Sequence, residues 1–195
     1  MTQLTLVFAS RNANKLKEIQ GFLPEVRLIS LDEAGIVDDI PEPGQTLEEN
    51  ALYKARYVYE KCGLSVFADD SGLEVAYLNG EPGVCSARYA GPQRSDEDNM
   101  DLLLRRLPAE VSRSAAFKTV IALILNGEEH VFNGEVPGSI LHEKRGNQGF
   151  GYDPLFVPDG HHRTFAEMSL DEKKALSHRT RAVKQMVSFI QGKLK

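Results

Sequence analysis

The sequence has no tryptophan, two cysteines and no long uninterrupted apolar run. Cys62 and Cys85 stand 23 positions apart. That spacing gives neither a disulfide framework nor a CxxC metal or redox motif, so both thiols are expected to be reduced and structural. The stretch Leu4–Ala9 is six residues long, has no basic residue ahead of it and is followed by Arg11. It is too short for a membrane span and lacks the flank of a signal peptide, so the expectation is a cytoplasmic chain that starts near Met1. Positive charge is not in excess either, since 23 Lys and Arg against 28 Asp and Glu leave a net charge of -5. A nucleic-acid coat or basic membrane-surface protein needs a cationic face, so neither nucleic acid nor membrane is an expected partner. A polyanionic ligand would have to be held locally. No internal repeat or low-complexity segment occurs.

What is present suits a folded α/β chain: 195 residues with 42% hydrophobic and 26% charged residues can build one large domain or two small lobes. Leu4–Ala9 reads as a buried strand that breaks at Ser10-Arg11-Asn12-Ala13-Asn14. Leu16, Ile19, Gln20 and Leu23 give the apolar face of a following helix, Pro24 stops it, and Val26–Ser30 alternates like a second strand. Asp38–Gln45 is a loop ending at the capping box Thr46-Leu-Glu-Glu49, which opens a helix to about Lys61. Asn50 and Lys54, four apart, project together from one face of it. Leu64–Ala68 is predicted as a strand that delivers Asp69-Asp70-Ser71-Gly72 at its carboxyl end, where open α/β sheets tend to place ligands. A turn at Asn79-Gly80, an irregular Ser86–Gly91 segment and a helix from Ser95 to Leu107 follow. Phe117–Leu125, Asn126-Gly127 and His130–Phe132 form a hairpin expected to be central in the sheet. A second capping box, Ser169-Leu-Asp-Glu172, precedes a final helix from about Ser177 to Lys193.

Taken singly, the polar constellations allow a bland and a functional reading. Ser10–Lys15 lies between a strand and a helix amino terminus, where free N–H groups and a lysine favour a phosphate, yet it is no Walker loop and suits an ordinary connection. Asp69-Asp70-Ser71-Gly72 fits a tight turn, or a carboxylate that binds a divalent cation or takes a proton from water. Gly146–Asp153 is glycine-dense, with Phe150 and Tyr152 as candidate stacking rings, but it is no Rossmann fingerprint and taken alone reads first as a structural loop. Ser177-His178-Arg179 is a helix cap with two solvated side chains, or a set of hydrogen-bond donors. His161-His162 has a surface-loop composition and no further zinc-spaced ligands.

In register, these segments resemble the inosine/xanthosine triphosphate pyrophosphatase family. The likeness covers nearly the whole chain and rests on Phe8-Ala-Ser-Arg-Asn-Ala-Asn-Lys15, Thr46-Leu-Glu-Glu-Asn-Ala-Leu-Tyr-Lys54, Ala68-Asp-Asp-Ser-Gly-Leu73, Pro82-Gly-Val-Cys-Ser-Ala-Arg-Tyr-Ala-Gly91, Gly149-Phe-Gly-Tyr-Asp-Pro154 and Ser177-His-Arg179. The resemblance implies one α/β domain over residues 1–195, elongated and two-lobed, with a mixed, bent central sheet flanked by helices and an active-site cleft between lobes. It also implies a homodimer, Mg2+ as cofactor, and hydrolysis of ITP, dITP or XTP to monophosphate and pyrophosphate. By matched position, Ser10, Arg11, Asn12, Ala13, Asn14, Lys15 and Lys54 would hold the triphosphate. Glu42 and Asp70 would bind the metal, and Asp70 would activate the attacking water. Ser71, Phe150, Gly151, Tyr152, Asp153, Lys173, His178 and Arg179 would contact the nucleotide.

Two positions depart from the family's pattern. Its first loop usually reads Thr-Gly-Asn where Ser10-Arg11-Asn12 stands here, which puts a guanidinium in reach of a phosphate contact. A usual Tyr is Cys85. Two other classes stay open: a related pyrophosphatase for pyrimidine or modified nucleotides, as in the septum-formation inhibitor proteins, whose Ser-x-Arg-Arg opening is lacking here, and a non-catalytic nucleotide sensor. Phosphate release in the presence of added pyrophosphatase separates enzyme from sensor.

Overall fold

The computed structural model describes residues 3–11, 16 and 19–193. The first strand, β1 (Thr5–Phe8), is buried from Leu6 onward. The helix expected next has helical backbone at Leu16, Ile19 and Gln20, and residues 12–15, 17 and 18 lie outside the described residues. β2 (Arg27–Ile29) is shorter than Val26–Ser30 because Val26 N–H already closes a turn on the Leu23 carbonyl.

The loop after β2 leads into α1 (Leu47–Cys62), whose ends follow the local sequence signals. Thr46 Oγ1 accepts the Glu49 N–H, the Glu49 carboxylate accepts the Thr46 N–H, and Gly63 closes the helix by donating to the Tyr59 carbonyl. β3 (Val66–Val75) then runs for ten residues. The acidic pair therefore lies inside a strand rather than at its carboxyl end. Side chains from distant segments bond its polar residues, as described below, so nothing forces the backbone to turn. The chain turns later, at Asn79-Gly80, after a 3-10 turn at Ala76–Leu78.

A second 3-10 helix, Gly83–Arg88, replaces part of the expected irregular segment. α2 (Asp96–Arg106) is capped by Ser95 and turns Met100 and Leu103 inward. β4 (Ser114–Leu125) and β5 (Glu128–Ile140) form the expected hairpin, longer than predicted, with Asn126 and Gly127 both at positive φ. β6 (Phe156–Pro158), a 3-10 turn at Phe165–Glu167 with its own Thr164/Glu167 capping box, α3 (Leu170–Leu176) and α4 (His178–Lys193) complete the order.

The six strands hydrogen bond in the order β2-β1-β3-β4-β5-β6. β1 is parallel to β2 and β3, with Phe8 opposite Phe67, and β5 is antiparallel to β6, so the sheet is mixed. β4 is interior and almost wholly buried, as an apolar run covered on both faces requires.

Packing divides the chain into two compact units. The first comprises residues 1–70, 120–133 and 181–195, and the second residues 71–119 and 134–180. Leu6, Phe8, Phe67, Ile121, Leu123 and the α4 stripe Ala182, Val183, Met186 and Ile190 form the first core. Leu73, Leu103, Phe117, Val136, Phe156 and Phe165 are central to the second.

Candidate active site

In the first unit, α1 and β3 bring Glu42, Asn50, Lys54 and Asp70 together. Lys54 Nζ lies 2.8 Å from Glu42 Oε1 and 3.6 Å from Asp70 Oδ1. Asn50 Nδ2 donates to Asp70 Oδ2 at 3.1 Å, and Asn50 Oδ1 accepts the Gly44 N–H at 2.7 Å. Burial pushes the Asp70 carboxyl above its ordinary value, and Glu42 and Asp69 push the same way. Lys54 and the Asn50 amide oppose this only in part. Burial by itself would lower the Lys54 pKa, but Asp70, Asp69 and Glu42 outweigh it and raise the ammonium above its ordinary value. Lys54 is thus a fixed cation among carboxylates. Asp69, the neighbour on the strand, is buried.

The loop expected to hold phosphate is described only at Ser10 and Arg11, while Asn12, Ala13, Asn14 and Lys15 lie outside the described residues. Where the sequence suggests a phosphate contact for Arg11, its guanidinium instead bonds Asp32 Oδ1 at 2.7 Å and the carbonyls of Ile36, Val37 and Asp38 at 3.3, 2.7 and 3.2 Å. It ties the segment leading to Glu42 back to the end of β1.

In the second unit, Ser71 Oγ and Thr119 Oγ1 are 2.7 Å apart, a pair that joins β3 to β4. Leu73 N–H donates to Ser86 Oγ at 2.9 Å. These bonds, with those to Asp70, explain why β3 continues through its polar residues.

The glycine-dense loop separates its two aromatic rings. Phe150 is 61% exposed, whereas Tyr152 is 3% exposed and packs in the core. Tyr152 therefore offers no face for stacking, contrary to the expectation. Its hydroxyl donates to the Ser86 carbonyl at 2.8 Å, and burial raises its pKa. Gly151 N–H donates to Asp96 Oδ2 at 2.6 Å.

Asp153 is buried, accepts the Phe150 N–H at 2.9 Å and pairs with Lys173. Burial raises the Asp153 pKa, against the pull of Lys173, the Phe150 N–H and Arg179. Lys173 Nζ also sits 4.7 Å from the centre of the Phe150 ring.

Ser177 caps α4, its Oγ accepting the Thr180 N–H at 3.1 Å. The two residues after it are not solvated as the bland reading has it. His178 and Arg179 are 7% and 9% exposed, and the imidazole stacks on Phe117 at 5.0 Å with planes 9° apart.

Asn50, Thr119 and Phe117 contact the candidate site residues Asp70, Ser71 and His178, but sequence reasoning assigns them no part. The shared helix face of Asn50 and Lys54 is a signal for the first. Thr119 and Phe117 carry none, since both read as ordinary members of a buried strand.

Residues 6–189 match the Ham1 family. The dITP/XTP pyrophosphatase of Flavobacterium psychrophilum is 53% identical over 97% of this chain and 100% of its own length. That of Thermoanaerobacter pseudethanolicus is 43% identical over 98% of each chain. Among solved structures, the Staphylococcus aureus Ham1 protein superposes with a TM-score of 0.93 at 40% identity, covering 97% of this chain and 99% of that one. A HAM1 protein from Coxiella burnetii does so with the same TM-score at 42% identity, with the same coverage. Matched along nearly its whole length and in its fold, the chain belongs to the Ham1 family.

Proposed function

We propose that the chain hydrolyses the deaminated purine nucleotides ITP, dITP and XTP to monophosphate and pyrophosphate, cleansing the nucleotide pool. The observation that carries this reading is the 53% identity, over the full length of that relative, to a protein named dITP/XTP pyrophosphatase. The arrangement of Lys54 between Glu42 and Asp70 supports it, because such a group can manage both a proton and phosphate charge.

A divalent metal goes with such chemistry, and magnesium is the ion we propose. Among the described residues no cluster of three or more His, Cys, Asp or Glu is gathered for a metal. Magnesium asks for less, commonly one or two carboxylates with water and substrate phosphates, and the hard oxygens of Glu42 and Asp70 fit that demand. When bound there, it would draw charge from the phosphate oxygens and make the α-phosphorus electrophilic.

The chain's own residues do the rest. Asp70 accepts the proton of the attacking water. Lys54 offsets the charge that builds on departing pyrophosphate, as does Lys15, outside the described residues. Phe150 offers an exposed ring face to the base. His178 and Arg179 supply donors for the 6-oxo group, where the adenine amino group would set donor against donor. The reading includes a homodimer, on the strength of the family likeness. It also includes a cytoplasmic setting, where nucleotides are found and which suits the free thiols of Cys62 and Cys85.

The test is a nucleotide panel with direct product analysis. ITP, dITP and XTP should give monophosphate and pyrophosphate, with ATP and GTP turned over poorly. Equal turnover of ATP and ITP, or phosphate as the direct product, overturns the proposal.

A further inference from the structure

Asn50 is wholly buried on α1, one turn before Lys54. A buried primary amide is costly unless both its ends are bonded, and here both are used within the first unit. Its oxygen takes the Gly44 N–H at 2.7 Å, two residues beyond Glu42. Its nitrogen donates to Asp70 Oδ2 at 3.1 Å.

The approach of the Glu42 segment to the helix depends on a missing side chain. A Cβ on Gly44 would lie 2.7 Å from Asn50 Oδ1 and 2.7 Å from Glu49 Cβ, so any other residue would push the segment away. The next two N–H groups, of Gln45 and Thr46, are held by Glu49 Oε2 at 2.7 and 3.2 Å. On the far side Lys54 bonds Glu42 and pairs with Asp70. The contacts therefore close a ring: Glu42, Gly44, Asn50, Asp70, Lys54 and back to Glu42.

We propose that Asn50 is a positioning residue for hydrolysis, its amide fixing the plane of the Asp70 carboxylate while fastening the segment that carries Glu42. The inference rests on the function proposed above. The amide suits the task because it offers a donor and an acceptor in one rigid plane and carries no charge. A lysine or carboxylate there would add a charge to a group already crowded with them.

Asn50→Asp separates the two ends, since it keeps the acceptor for Gly44 and turns the donor into an oxygen facing Asp70. Asn50→Ala removes both, and Gly44→Ala disturbs the far end. With the full chain and dITP as substrate, Asn50→Asp and Asn50→Ala should lower kcat by roughly 100-fold while KM stays within about threefold, the signature of a misplaced reacting group rather than lost binding. In Gly44→Ala/Asn50→Ala the loss should be no greater than in the worse single variant, because both break one linkage.

Amide hydrogen exchange reads the same clamp without turnover. Protection at Gly44 should fall in Asn50→Ala and persist in Asn50→Asp. Should Asn50→Ala fail to fold, Asn50→Asp and Gly44→Ala decide by kinetics and exchange. A kcat retained in Asn50→Asp, or a rise in KM alone, overturns the inference. A wild-type protein inert toward every nucleotide would instead overturn the proposed function, and unchanged Gly44 protection in Asn50→Ala would then overturn the clamp as well.

Discussion

The imidazole of His178 lies flat on the ring of Phe117, with centroids 5.0 Å apart. A stacked imidazole loses its freedom to rotate, so its ring nitrogens keep a fixed direction. His178→Ala should therefore weaken discrimination rather than turnover in general. The ITP to ATP ratio of kcat/KM should narrow by roughly ten- to a hundredfold, the worth of one lost donor. Equal losses on both nucleotides would assign His178 to the phosphates.

Asp70→Asn should divide activity from stability. Turnover should drop by about a hundredfold or more, as expected when a general base is removed. Asp69→Asn should cost less. Because burial raises the Asp70 pKa, its ionisation opposes folding as pH rises past the unfolded value. The asparagine variant should therefore gain stability relative to the wild type as pH rises past the unfolded carboxylate value, and the gap should close as acid protonates Asp70 in the wild type. Thermal melts across pH check the sign, and a variant that loses stability relative to the wild type over that rise would contradict it.

Arg11 is committed to three carbonyls and Asp32. Arg11→Gly should cost about 1–2 kcal/mol of stability by urea titration, from lost charge-assisted bonds at a half-exposed site, while KM for dITP moves by no more than about threefold. A KM raised tenfold or more would restore the phosphate role.

The helix caps and the hairpin turn are legible because their signals are local. Thr46 and Glu49 are three residues apart, and Asn126-Gly127 carries its turn in two residues. The course of β3 is not local. Whether Asp70 and Ser71 end a strand depends on Asn50, Lys54 and Thr119, which reach them only after folding. The same holds for His178 and Arg179, whose tripeptide reads as a solvated cap until Phe117 comes under the imidazole. The candidate site residues lie in motifs that read in register, as does Asn50, whereas Thr119 and Phe117 give no signal of their own.

Glu172 gives the clearest acid response. Its bond with Arg163, reinforced by the Ser169 N–H and hydroxyl, holds its pKa at about 2, against an ordinary 4.5. A lowered carboxylate stabilises the folded state above the unfolded pKa and stops doing so as pH falls through the folded one. The deficit of Glu172→Gln in urea midpoint should therefore be full at pH 6 and shrink between about 4.5 and 2. A deficit constant over that window would locate its role elsewhere.

The ammonium of Lys173 beneath Phe150 has a consequence for the entropy of recognition. A solvent-facing phenyl ring usually samples several rotamers and loses that freedom when a flat partner settles on it. Here one face already rests on a cation that Asp153 holds in place, so much of the ordering has happened during folding. The outer face is a prepared platform, and a planar base stacking there would meet a ring that no longer has to be stilled.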